Sequence, residues 1–181
     1  MGGASSIQSP HISACEDRGG SYTITQYTDK WILQWGTIQR GVEVHVFRQG
    51  SVVVAHLVRN NLSKHRRKHF DCEQNGNIDI IVENNTIEIA NVFLCPKGIC
   101  RKSVDKTLFA AIRIYCQEFK QPVKSGVVNI SSMEGIRAYH CYCKAFQRNA
   151  FESLTAEPSE KEVEDYLVLF TRRVYDTPVI H

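Results

Sequence analysis

The chain has no run of eighteen apolar residues, so it contains no candidate membrane-spanning helix. No apolar leader core follows Met1, and a secretory signal of the usual kind is not expected. No C-x-x-C pair occurs, which removes the common zinc-ribbon and dithiol-redox patterns. An internal repeat is missing as well, so a solenoid or propeller is not expected. Charge of one sign is also scarce. Lys and Arg total 22 against 19 Asp and Glu, a net charge of +3, which does not by itself call for nucleic acid.

What is present is ordinary for one globular domain of 181 residues, with 43% hydrophobic and 23% charged residues. The seven cysteines are odd in number and irregularly spaced, a pattern that favours reduced, mostly buried thiols in a cytoplasmic setting. Cys141 and Cys143 beside His140 invite a nucleophile reading, but neighbours on a helix do not face one another.

The stretch Thr86–Phe119 organises the chain. Thr86–Leu94 is rich in β-branched and aromatic residues, as in a buried strand. Cys95-Pro96-Lys97-Gly98 breaks it. Val104, Leu108, Ala111, Ile112, Tyr115 and Phe119 then recur at helical offsets, with Ser103 as N-cap and a stop at Gln121-Pro122. Gly126–Ile130 is a second strand, which makes the unit β-α-β with a parallel pair. The N-terminus of such a helix beside a strand end suits an anion, and Arg101, Lys102 and the Ser103 hydroxyl stand there in a short basic loop.

Residues 1–20 are Ser- and Gly-rich and predict a flexible tail, followed by one domain over 21–181. Met1–Ser6 fits the myristoylation pattern on Gly2. One acyl chain binds a bilayer weakly, so Lys64, Arg66, Arg67 and Lys68 would supply a second contact with an anionic, peripheral membrane surface. The same run lacks aromatic stacking platforms, which argues against nucleic acid and fits a solvated loop. His65, His69 and Cys72 are ligand types without a fourth partner, so no metal is expected.

Strands are also expected over Tyr22–Tyr27, Trp31–Trp35, Val42–Arg48 and Val52–Val58, with a turn at Arg48–Ser51. His45 and His56 lie in them as structural histidines. Ile78–Glu83 and Thr86–Leu94 flank Asn84-Asn85, a hairpin loop whose asparagines tolerate positive φ. Ser131–Lys144 predicts a second helix, Phe146–Leu154 a strand and Tyr166–Thr171 a closing strand. The expected fold is α/β, with a mixed central sheet of six or seven strands and two principal helices; a β-sandwich with a helical appendage is the alternative.

Over Ile78–Thr171 this order resembles the GNAT family of N-acetyltransferases. Ile87–Leu94 is similar to the family's fourth strand, Val104–Phe119 to the helix that receives the cofactor pyrophosphate, and Val127–Ile130 to the fifth strand. Gly135–Phe146, ending Tyr142-Cys143-Lys144-Ala145-Phe146, is similar to the helix that carries a Tyr and a Gly-Phe pair. The resemblance implies acetyl-CoA bound where two parallel strands splay, and acetyl transfer to an amine on a small molecule or protein. It further implies that Arg101, Lys102 and Ser103 hold the pyrophosphate and that the backbone of Val92, Phe93 and Leu94 holds the carbonyl. Amine acylation needs a base, for which Glu88 is the carboxylate inside the strand, and an acid, for which Tyr142 and then Tyr139 are the phenols. Cys100–Asp105 lacks both glycines of the family's phosphate loop. That departure implies the alternative, a catalytically silent interaction module of the same fold.

Overall fold

The computed structural model describes residues 10–17, 20–60, 77–93, 100–130, 135–159 and 165–173, without the side chains of 17, 60, 77, 91–93, 100–102 and 135. Seven strands follow one another as an antiparallel meander: β1 (His11–Asp17), β2 (Gly20–Tyr27), β3 (Lys30–Gly36), β4 (Gly41–Gln49), β5 (Val52–Asn60), β6 (Asn77–Glu83) and β7 (Thr86–Phe93). Tight turns set this order. Gly50 at φ 63° closes β4–β5, and Asn84 and Asn85 at φ 51° and 63° close β6–β7 in the left-handed region that a two-residue hairpin requires.

Helix α1 (Cys100–Phe119) then crosses over to β8 (Ser125–Ile130), which lies parallel to β7. Helix α2 (Gly135–Arg148), β9 (Phe151–Ser153) and β10 (Tyr166–Arg172) complete the sheet in the order β8-β10-β9. Both helices lie on one face. Val104, Leu108, Ala111 and Tyr115 of α1 are buried with the alternate residues Val44, Val46, Val53, Ala55, Ile78 and Ile80 of the strands. This burial of interleaved aliphatic side chains is the main stabilising contribution, at about 25 cal/mol per Å² of apolar surface removed from water. Tyr22, Trp35 and Phe109 cluster at the β2–β3 end, where the Lys106 ammonium sits 5.2 Å from the Trp35 ring. Among the described residues no helix covers the opposite face.

Several expectations are corrected here. The sheet has ten strands rather than six or seven, and it is one sheet rather than a sandwich. Each short hairpin adds its strand beside the last, so residues 11–36 extend the same sheet. Strand β1 lies inside the stretch expected as a tail. His-Ile-Ser-Ala-Cys-Glu-Asp has no apolar alternation because an edge strand with neither face well covered needs none. Helix α1 starts at Cys100, so Ser103 is not its N-cap but a fully buried residue of the first turn. It ends at Phe119, where Lys120 takes φ 54° and its N–H bonds the Cys116 carbonyl at 3.1 Å. Helix α2 runs through Arg148, leaving only Phe151–Ser153 of the expected 146–154 strand. Cys15, Cys116 and Cys143 are not in disulfides, whereas Cys141 is, against the expectation of reduced cysteines.

Candidate functional site

The parallel strands β7 and β8 pair from Thr86–Ser125 to Ile89–Val128 and no further. Beyond that point β7 continues to Phe93 beside β6, and β8 continues to Ile130 beside β10. The register of β6 with β7 shifts between Asp79 and Ile80, which leaves Ala90 opposite no partner. A bulge bends the strand that carries it. The two strands therefore part immediately after Ile89 and Val128, and the backbone of Ala90–Phe93 on that side has lost its ladder partner. Peptide groups without a ladder partner can bond a ligand's polar groups in place of water, so such an opening is a place for a ligand. It also lies at the carboxyl ends of parallel strands, where α/β sheets commonly hold ligands.

Helix α1 is the element that follows β7. Its first turn contains Arg101 and Lys102, which belong to the helix rather than to the expected basic loop. Their side chains, those of Val92 and Phe93, and all of Leu94 lie outside the described atoms, as do Gly2, Lys64, Arg66, Arg67, Lys68, His65, His69 and Cys72. Ser103 is fully buried, with its carbonyl accepting the Thr107 hydroxyl at 2.6 Å. Asp105 does not stand free near the helix start. Its carboxylate accepts the Asn149 amide at 2.9 Å and lies 3.7 Å from the Arg148 guanidinium, tying α1 to the end of α2.

Strand alternation places Glu88 on the open face, exposed, between Ile81 and Val127 at a level where β7 and β8 are still paired. Tyr139, Tyr142, Ala145 and Phe146 form the buried face of α2. The Tyr139 phenol is pushed up to about 12 by burial, reinforced by Cys143 and opposed by a hydrogen bond with Ser153. Ser153 belongs to β9, two strands beyond β8, so the Tyr139 hydroxyl turns away from the opening. Burial likewise pushes the Cys143 thiol up, which is the wrong direction for a nucleophile. Phe146 reaches back under β8, where Gly126 makes room for it.

The open face also carries a polar network that spacing along the chain did not reveal as a unit. His56 Nδ1 lies 2.5 Å from Asp79 Oδ1, across β5 and β6. His45 Nε2 lies 2.8 Å from Glu43, which also accepts Arg59 at 2.5 Å. Both histidines thus have partners, in keeping with a structural reading. Among the described residues no group of three or more His, Cys, Asp or Glu is placed to hold a metal ion, and no helix is long and apolar enough to cross a membrane.

No family model matches the chain, and no curated protein matches it. Among solved structures, it is similar to an acyl-CoA N-acyltransferase candidate from Klebsiella pneumoniae, with 16% identity over 67% of this chain and 72% of that one and a TM-score of 0.39. That likeness is too low to add weight, and the architecture stands on strand order and register: among the described residues, a mixed ten-stranded sheet with two helices on one face.

Proposed function

We propose that this protein transfers an acetyl group from acetyl-CoA to an amine. The observation that carries the reading is the parting of β7 and β8 after Ile89 and Val128, with the bulge at Ala90 and the start of α1 next in the chain. The backbone left without a partner between Ala90 and Phe93 is suited to the amide and carbonyl groups of an extended acyl-pantetheine arm, which needs strand-like hydrogen bonds. Arg101 and Lys102 in the first turn of α1 supply positive charge where helix N–H groups are also unpaired, the combination that a pyrophosphate requires. Near the same helix start, the Asp105 carboxylate is engaged by the Asn149 amide and the Arg148 guanidinium, which lessens its repulsion of such a group. Bound acetyl-CoA supplies an activated thioester acyl group.

The chain's own residues would then orient and deprotonate the acceptor. N–H groups of Val92–Leu94 polarise the acyl carbonyl, and Glu88 offers a carboxylate on the open face to attract a cationic amine. Tyr142, on the buried face of α2, is the phenol assigned to the leaving thiolate, ahead of Tyr139. Isothermal titration with acetyl-CoA tests the reading. Binding in the micromolar range or tighter, weakened at least tenfold in Arg101→Ala, is the expected result. Silence at millimolar ligand refutes it. The lack of both phosphate-loop glycines then favours the interaction module instead.

A further inference from the structure

The open face of the sheet is banded. At the level where β7 and β8 are still paired, register aligns Lys30, Phe47, Val54, Ile81, Glu88, Val127 and Leu169, a mostly apolar row with charges at Lys30 and Glu88. One step further along the strands, where β7 and β8 have parted, the row becomes Ile32, His45, His56, Asp79 and the backbone of Asn91. His45, His56 and Asp79 thus lie side by side at the height of the opening.

Within the polar row, Asp79 holds His56 through Nδ1 at 2.5 Å, and the Phe47 ring packs against the imidazole at a centroid distance of 5.7 Å. With Nδ1 engaged by a carboxylate, the proton is fixed there and Nε2 presents its lone pair. The His56 side chain is 40% exposed, so Nε2 can reach a ligand. The other charged groups described on this face include Glu43, His45 and Arg59, which satisfy one another on β4 and β5, Lys30 on β3, whose ammonium lies 5.4 Å from the Phe47 ring, Glu83 on β6 and Glu88 on β7. Of these, His56 is the one that combines a carboxylate-oriented ring with a second nitrogen that no described residue contacts.

Resting on the acetyl-transfer reading, we infer that His56, oriented by Asp79, is the proton acceptor for the amine, in place of Glu88. The acceptor would be a cationic primary amine lying along the open face toward Asp79. Strand spacing puts the His56 backbone about 10 Å from that of Asn91, a gap that the imidazole and one bridging water span. In the balanced step, the ammonium gives one proton to His56 Nε2 and its freed lone pair bonds the acyl carbon. The carbon–sulfur bond breaks with its electron pair leaving on sulfur, the Tyr142 hydroxyl protonates that thiolate, and the second nitrogen proton restores the phenol. His56 then returns its proton to solvent.

The test uses the full chain with acetyl-CoA and two amine probes, spermidine and a lysine-containing peptide. Wild type should show kcat/KM rising with pH along one limb. His56→Gln should remove that limb and lower kcat by about 10²-fold while acetyl-CoA affinity, read by calorimetry, stays within twofold. Asp79→Asn should lower kcat and displace the limb. Added imidazole should restore part of the rate of His56→Ala. An unchanged limb in His56→Gln, or its loss in Glu88→Gln instead, overturns this inference and leaves the transferase reading standing. Acetyl-CoA binding with no turnover of either amine also overturns it. Absence of acetyl-CoA binding to wild type overturns the transferase reading itself, and this inference with it.

Discussion

Adding one methyl group at Gly126 should be among the most damaging small changes this protein can suffer. A Cβ there would lie 2.5 Å from Phe146 Cε1, 3.2 Å from its Cδ1 and 3.3 Å from Ile87 Cγ2. Carbon atoms rest at about 3.5–4.0 Å, so the ring would have to retreat by about 1 Å. It has nowhere to go. Phe170 stacks on it at 3.9 Å and 9°, Phe151 meets it edge-on at 5.1 Å, and all three rings are buried. Overpacking of this kind costs about 1–3 kcal/mol, and the loss of glycine's freedom in the unfolded chain returns only about 0.4–1 kcal/mol. We expect Gly126→Ala to be destabilised by about 1.3 kcal/mol, roughly tenfold in the folding equilibrium.

Urea unfolding followed by fluorescence of the buried Trp31 and Trp35 measures the change directly. Phe146→Ala alone should cost about 3–5 kcal/mol by leaving a cavity. In the double variant the new methyl enters that cavity, so the two costs should fall short of additive by at least about 1 kcal/mol. A Gly126→Ala protein within about 0.5 kcal/mol of wild type, or strict additivity in the cycle, would refute the packing argument. Gly126 pairs with Ile87 inside the parallel ladder, so acetyl-CoA affinity should weaken in the same variant.

Further predictions concern alkaline stability, the hairpin and the helix end. Tyr139 titrates near 10.0 when unfolded and at about 12 when folded, so the native state keeps this proton longer. Its contribution is complete below pH 10 and is lost as pH rises toward 12; Tyr139→Phe should flatten that decline in urea melts across the same window. Tyr115→Phe removes the hydroxyl that accepts the Asn85 N–H at 3.0 Å, and should lower stability by about 1–2 kcal/mol; an unchanged midpoint would show that water replaces it. Lys120→Gly should raise stability by about 0.5–1 kcal/mol, because φ 54° strains a side chain at the end of α1. A lower melting temperature for that variant would mean that the lysine contributes contacts outweighing the strain.

Local chemistry determined much of this architecture. Asn84-Asn85 between two β-branched runs specifies its hairpin because few residues accept positive φ. The apolar stripe from Val104 to Tyr115, ended by Gln121-Pro122, specifies a helix, and a strand on each side of a helix specifies a parallel pair. These signals are short-range, and all of them hold in the structure. The strand β1 was not legible, since an edge strand needs no hydrophobic alternation and His11–Asp17 has none. Nor was the sheet's full extent, which depends on whether successive hairpins join one edge or fold over one another.

The site divides in the same way. That Arg101 and Lys102 stand at the start of a helix following a central strand could be read from the chain. That β7 leaves β8 after Ile89 could not, because it depends on a one-residue register shift against β6. The meeting of His56 with Asp79, 23 positions apart, was equally hidden. A cross-strand pair is fixed by which residues face each other over the ladder, and a slip of one residue would turn either side chain to the opposite face. Sequence determined which elements form; only the tertiary register decided which side chains meet at the opening, because strand pairing is a long-range choice made by the burial of whole faces.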